Sequence, residues 1–452
     1  MNTATAHLAD SQHPWIGLAS FTENDREFFA GRGEEIDELL RLVRRDPLTL
    51  LYGVSGLGKT SLLQAGLFPA LRAEDYLPVP IRLDYLEGAA PLAAQVLGAI
   101  TAAADAARVE VPQPRPDETL WEYFHREGNH FWSPRNDLVT PFVAFDQFEE
   151  LFTLGRETPE CATRATAFIS ELADLVENRP PAALRDDPLR AKEFSFKPAP
   201  LKVLLAMRED YLADIDRIRS HFRALGQNRQ RLLPMGERQA RQVIALGARL
   251  LAPGVEDRIR KFVAGGDAYA AEITIAPALL SLVLRELNER RLVRGPEAKI
   301  TPDLLDVEQQ KIFEDFYLRT IQNFPVGLRI FIEDKLLTTT GYRDSCALDD
   351  ALSCPMSPSP FSMNWSTAGS SPMKTATTPA GWNSRMMFSY LSSRPAATLA
   401  MPAKRSHRLR SSSARPTRRR PWHASGLPLS PFCSCSPLQG RSMDGCRRTA
   451  PR

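Results

Sequence analysis

The eight residues Gly53-Val54-Ser55-Gly56-Leu57-Gly58-Lys59-Thr60 constrain the fold of this chain more than any other stretch, and they match the pattern G-x-x-x-x-G-K-[ST] in full. Residues 48–52 before them form an apolar run that predicts a buried strand. Residues 59–72 after them place Leu62, Leu63, Leu67 and Leu71 on one helical face. A strand, a glycine loop and a helix in that order make a phosphate-binding loop. Gly56 and Gly58 let backbone amides turn inward, and the helix that begins near Lys59 adds its positive end. The spacing assigns Gly53, Ser55, Gly56, Gly58, Lys59, Thr60 and Ser61 to the phosphates. Lys59 reaches the β and γ phosphates, and the Thr60 hydroxyl coordinates magnesium. The expected ligands are a nucleoside triphosphate and Mg2+.

Further apolar runs at residues 77–85, 141–145 and 201–207, with a weaker one at 231–235, predict strands that alternate with helical stretches at 89–107, 118–131, 163–178 and 210–219. That alternation implies an α/β fold, a parallel sheet with helices on both faces. Residues 179–200 carry five prolines and read as an exposed insertion between two strands. After Gly236 the strand signals stop. Residues 237–251, 255–264, 277–291 and 307–324 look helical, and Thr301 followed by Pro302 suits a helix start. The expected plan is an N-terminal tail (1–13), a P-loop domain (14–235), a helical subdomain (236–299), a small partial domain (300–354) and a tail (355–452).

The segment Phe142-Val143-Ala144-Phe145-Asp146 ends an apolar strand on a carboxylate. At the strand's C-terminal edge Asp146 would hold magnesium, directly or through water. Glu149 or Glu150 would then orient the attacking water as general base; an acidic helix start favoured by the helix dipole is the alternative. Arg208 ends the run 201–207 and would sense the γ-phosphate from the strand end, or else pair with Glu209 or Asp210 at the surface.

These residues resemble the STAND class of signal-transduction NTPases, in particular the bacterial novel STAND NTPase group. The likeness spans residues 14–350. Pro14-Trp15-Ile16-Gly17-Leu18 with Phe21 is similar to the family's opening segment, and Phe29-Ala30-Gly31-Arg32-Gly33-Glu34-Glu35 fits F-x-G-R-x-x-E. The resemblance assigns Phe29, Gly31 and Arg32 to the base side of the nucleotide. Asp146 to Phe152 looks like the magnesium strand, and Met207-Arg208-Glu209-Asp210-Tyr211 resembles the sensor strand. Ile275-Ala276-Pro277 stands where the family has G-x-P, with isoleucine in place of glycine, so only Pro277 is carried over. The resemblance further implies ATP and ADP as ligands and a switch with slow hydrolysis. It also implies a winged helix from about residue 300 whose histidine-aspartate motif touches the nucleotide. That motif is missing as the sequence stands.

Composition points to where it went. Residues 355–452 hold 19 Ser, 13 Pro, 15 Lys+Arg and one acid, whereas residues 1–354 hold 42 Lys+Arg against 53 Asp+Glu. The net charges are +14 and −11. Met386-Met387-Phe388 is encoded ATG, ATG, TT(T/C); read from the third base of each codon, it becomes His, Asn, Tyr or Asp, then Asp, then Val. The family's motif is Thr-His-Asp-Val. In the same phase Pro431 to Ser436, with TCN serine codons, turns into an apolar run of the kind a membrane span needs. A frameshift near residue 355 is the expectation; a genuine basic low-complexity tail is the alternative.

The N-terminus has no basic-then-apolar leader and no run of about 18 apolar residues occurs, so a cytoplasmic location is expected. The six cysteines form no disulfide or zinc pattern. Expected partners are another copy of the chain or an effector protein. No specific nucleic acid is expected, and a membrane tether belongs only to an unshifted form. The competing functions are an ordinary P-loop ATPase, a winged-helix DNA-binding regulator, which the acidic body of the chain disfavours, and an inactive truncated remnant.

Overall fold

Mostly apolar runs of six or seven residues, too short for helices of comparable burial, form the strands β1 (Leu48–Gly53), β2 (Tyr76–Ile81), β3 (Thr140–Phe145) and β4 (Lys202–Arg208), joined by the short β5 (Arg229–Arg231). All pair in parallel, in the order β2-β3-β4-β1-β5. This computed structural model describes residues 9–306 except 86–87, 157, 220, 227 and 265–273. The described residues all lie in one compact unit. The predicted helix at 307–324, most of the predicted winged helix and the whole tail fall outside the described residues.

Parallel strands require crossovers, and helices supply them. α1 (Gly33–Arg45) precedes β1. α2 (Lys59–Ser61), a π turn (Leu62–Leu67) and α3 (Phe68–Arg72) lead from β1 to β2. α4 (Leu92–Ala107) and α5 (Leu120–His125) precede β3; α6 (Pro159–Val176), α7 (Ala183–Asp186) and α8 (Pro188–Ala191) precede β4; α9 (Leu212–Ile218) precedes β5. Strand residues alternate between two cores. Leu50, Val143, Phe145, Leu205 and Met207 face α4, α5, α6 and α9, whereas Leu51, Phe142, Ala144, Leu204 and Ala206 face α1 and the helix after the phosphate loop. The sheet is therefore covered on both sides, as its near-continuous apolar strands require.

The sheet ends at β2 for a local reason. Asp146 N donates to Ile81 O and Thr140 N to Asp75 O, so the odd residues of β2 bond to β3 and the even ones face the open edge. Two of those are Pro78 and Pro80, which have no N–H to offer another strand.

Several elements differ in extent from the sequence expectation. The strand expected at 77–85 stops at Ile81 because β3 ends opposite it; Leu83 and Tyr85 stay buried beyond the strand end. The weak strand expected at 231–235 lies at Arg229–Arg231 instead, held by Asn228, whose side-chain amide donates to Leu42 O, Leu48 O and the Thr49 hydroxyl. The helix expected at 59–72 widens to a π turn. Pro69 lacks an N–H and its ring crowds the carbonyl four residues back, and Phe68 N bonds five residues back to Leu63 O. The helix expected at 118–131 runs only from Leu120 to His125. Thr119 and Glu122 cap its start reciprocally, and Gly128, in the left-handed region at φ 76°, turns the chain away. The insertion at 179–200 is only partly exposed, because its Leu184 and Phe194 close over Trp121 of α5.

Beyond β5, α10 (Glu237–Ala245), α11 (Val255–Ala264) and α12 (Pro277–Arg294) form a separate apolar core with a 3-10 turn at Pro302–Leu305. The helix expected at 237–251 breaks after Ala245. At Gly247 a Cβ would stand 2.1 Å from the ring of Trp15, so glycine is required for the approach of the N-terminal segment. Trp15 is buried in this helical core, and full burial of such a side chain stabilises by about 1.5–3 kcal/mol or more. No helix among the described residues is long and apolar enough to cross a membrane.

Candidate nucleotide site

Every sequence-predicted residue of the phosphate side meets at the carboxyl edge of the sheet, where open parallel sheets bind ligands. Gly53 of β1 lies level with Arg208 of β4, and Asp146 follows Phe145, the last residue of β3. Gly56 and Gly58 adopt φ values of 84° and 85°. A Cβ on Gly58 would meet nothing within 4 Å, so backbone conformation rather than space demands glycine there. Ser55 is half-buried in the loop. Lys59 Nζ donates to Gly53 O (2.8 Å) and Val54 O (3.1 Å), which folds the amine over the loop.

The Thr60 hydroxyl donates to Asp146 Oδ2 at 2.7 Å, and Gln147 N donates to Asp146 Oδ1 at 3.0 Å. Burial raises the Asp146 carboxyl above its ordinary pKa, although Thr60, Gln147 N–H, Lys59 and Arg82 all favour its ionised form. Burial likewise raises Glu149 and lowers Lys59, whose charge Glu149 and Asp146 support. One hydroxyl and one carboxylate oxygen in contact make a hard-oxygen pair that fits Mg2+, and an ammonium beside left-handed glycines fits phosphate.

The two candidate bases separate. Glu149 Oε2 accepts from Arg208 N at 3.3 Å and stands toward the phosphate loop. Glu150, which is buried where Glu149 is only half-buried, is held by Arg82 at 2.6 and 3.2 Å. Arg208 pairs with Asp210 and lies over the Tyr211 ring, while Arg231 pairs with Glu209 at 3.0 Å.

A cleft runs from the loop to the helical region. Gly56, Gly58 and Ser61 line one end, Phe21, Phe28 and Phe29 another, and Met235, Val243, Leu246, Pro277 and Ala278 the far wall. The rings of Phe21 and Phe29 lie 5.7 Å apart, and Phe21 N donates to the Ser61 hydroxyl at 3.1 Å. Arg32 lines the cleft but is 2% exposed, its guanidinium bonded to Glu35 at 2.5 Å and to Leu57 O at 3.4 Å. Gly31 is not among the lining residues; its φ of 81° lets the chain press against Gln239 O. Met235, Val243, Leu246, Ala278 and Arg82 escaped the sequence reading, because nothing local distinguishes them from core or surface residues.

The parallel sheet, the glycine loop after β1 and the carboxylate at the end of β3, with β4 between the two strands, define a P-loop NTPase. The particular group follows from the sequence as a whole. The chain belongs to the Novel STAND NTPase 1 family, whose family model matches residues 14–301. Among solved structures the chain is similar to a Walker-type ATPase of Pyrococcus abyssi (18% identity, 67% of this chain and 77% of that one, TM-score 0.40). It is also similar to Cdc6p from Pyrobaculum aerophilum (15%, 67% and 72%, 0.38) and to the ORC1 protein of Aeropyrum pernix in complex with DNA (15%, 69% and 75%, 0.39). No curated protein matches it.

Proposed function

We propose that the chain is an ATP/ADP-dependent signalling switch that hydrolyses ATP slowly. The observation that carries this reading is the cleft itself, lined both by the phosphate loop and by the helical region, so one nucleotide would touch both and bias their arrangement. Gly53, Ser55, Gly56, Gly58, Lys59, Thr60 and Ser61 hold the phosphates, Thr60 and Asp146 hold Mg2+, and Phe29 and Pro277 flank the base. Magnesium supplies charge neutralisation at the phosphate oxygens. Glu149 accepts the proton of the attacking water, since Glu150 is engaged by Arg82. Arg208 exchanges Asp210 for the γ-phosphate. Adenine rests on family membership, as does self-association or an effector protein as the partner.

The test is nucleotide identification after gentle purification. Bound ADP in the wild type and an empty Lys59→Ala variant support the switch; a nucleotide-free wild type, or turnover faster than about 1 per second, sinks it. For the tail, we propose a frameshift near residue 355. Resequencing the DNA at codons 345–360 checks this, and an intact reading frame refutes it.

A further inference from the structure

Glu149 and Glu150 are neighbours in sequence but point to different partners. They sit in a 3-10 turn, Phe148–Leu151, pinned by the buried Phe148 and Leu151 and entered through Gln147 in the left-handed region. With three residues per turn, consecutive side chains diverge by roughly 120°, so fixing one fixes the direction of the next. Arg82, the first residue after β2, holds Glu150. Its guanidinium forks onto the carboxylate, Nη2 to Oε1 at 2.6 Å and Nε to Oε2 at 3.2 Å. The same strand end holds the metal side, because Ile81 O accepts the Asp146 N–H at 2.8 Å. Glu150 is 8% exposed while Arg82 is half exposed, so removing Arg82 takes a cation and two hydrogen bonds from a mostly buried carboxylate and loosens its hold on the turn.

We propose that Arg82 is a positioning residue for ATP hydrolysis: its fork on Glu150 anchors the turn so that Glu149 faces the phosphate loop. This rests on the reading above that the chain hydrolyses ATP with Glu149 as the base. Arg82 itself touches no reacting atom. A lysine keeps the charge but cannot make the two parallel hydrogen bonds.

The test uses the full chain as wild type, Arg82→Ala, Arg82→Lys, Glu149→Gln and Glu150→Gln. It reads fluorescent ADP binding, ATP turnover, and amide exchange over residues 147–152. Arg82→Ala is expected to lower kcat by about 10- to 100-fold with KM and the ADP Kd within about twofold, and to speed exchange in the turn about tenfold. Arg82→Lys is expected to recover only part of each loss. Glu149→Gln is expected to abolish turnover with exchange unchanged. Wild-type kcat and exchange in Arg82→Ala would overturn the assignment. So would loss of turnover in Glu150→Gln with turnover retained in Glu149→Gln. A wild type that binds ADP but never turns over ATP refutes the hydrolysis reading alone. Exchange in Arg82→Ala then decides separately whether Arg82 anchors the turn.

Discussion

The two walls of the nucleotide cleft are built by different physics. The phosphate-loop wall grows directly out of β1, a central strand whose Leu48, Leu50 and Leu51 are fully buried and whose backbone is bonded on both sides. The opposite wall, α10 and α12, is fastened by a strap of N-terminal residues. Gln12 O accepts from Asn288 (2.7 Å), Trp15 Nε1 donates to Val243 O (2.9 Å), Ile16 O accepts from Arg285 (3.0 Å) and Gly17 N donates to the Ser281 hydroxyl (3.0 Å). The strap then reaches the first wall, where Phe21 N meets Ser61. One wall is a continuous ladder, and the other depends on a few side chains and one aromatic wedge. A change in the first should therefore act on the ligand, and a change in the strap on how the walls are joined.

The largest effect that can break this comparison is Trp15→Ala. Emptying the wedge site is expected to cost about 3–5 kcal/mol, seen in denaturant unfolding as an early transition of the helical region. A single cooperative transition at the wild-type midpoint would show that the strap carries no such weight. Lys59→Ala comes next. It should weaken ATP and ADP binding at least ~100-fold by calorimetry, about 2.7 kcal/mol, and leave the unfolding midpoint no lower, because the buried ammonium is no asset to the empty fold. Affinity within tenfold of wild type would count against the loop as the main anchor.

Gly247→Ala is expected to cost about 1–3 kcal/mol by overpacking against Trp15. The loss should shrink in a Trp15→Phe background, and an equal loss there would place the cause elsewhere. The smallest effect concerns pH. Burial raises the Glu149 carboxyl, so its ionised form is unfavourable in the fold. Glu149→Gln should therefore raise the melting temperature of the ligand-free protein near neutral pH while slowing hydrolysis. The gain should fade as pH falls through the raised folded pKa, and vanish below the unfolded carboxylate value. A gain that persists in acid would refute burial as its source.

Much of the first wall was legible because its signals are local. The loop pattern, the apolar runs at β1, β3 and β4 and the aspartate after Phe145 each need only a few consecutive residues, and their side chains alternate with a period that sequence displays directly. The boundaries that shifted did so where a distant partner decides. β2 ends where β3 ends, the helix after the loop opens into a π turn ahead of Pro69, and α10 stops where Trp15 arrives.

By itself, then, the sequence determined that a parallel α/β core would carry a phosphate loop with a carboxylate beside it, because backbone propensity and burial periodicity are written residue by residue. Only the tertiary structure decided which of two adjacent glutamates turns toward the loop. It also recruited Arg82 from just beyond the end of β2, and it closed the cleft with helices and a strap more than two hundred residues apart in the chain. Side-chain direction at a site depends on contacts across the fold, and no local pattern encodes them.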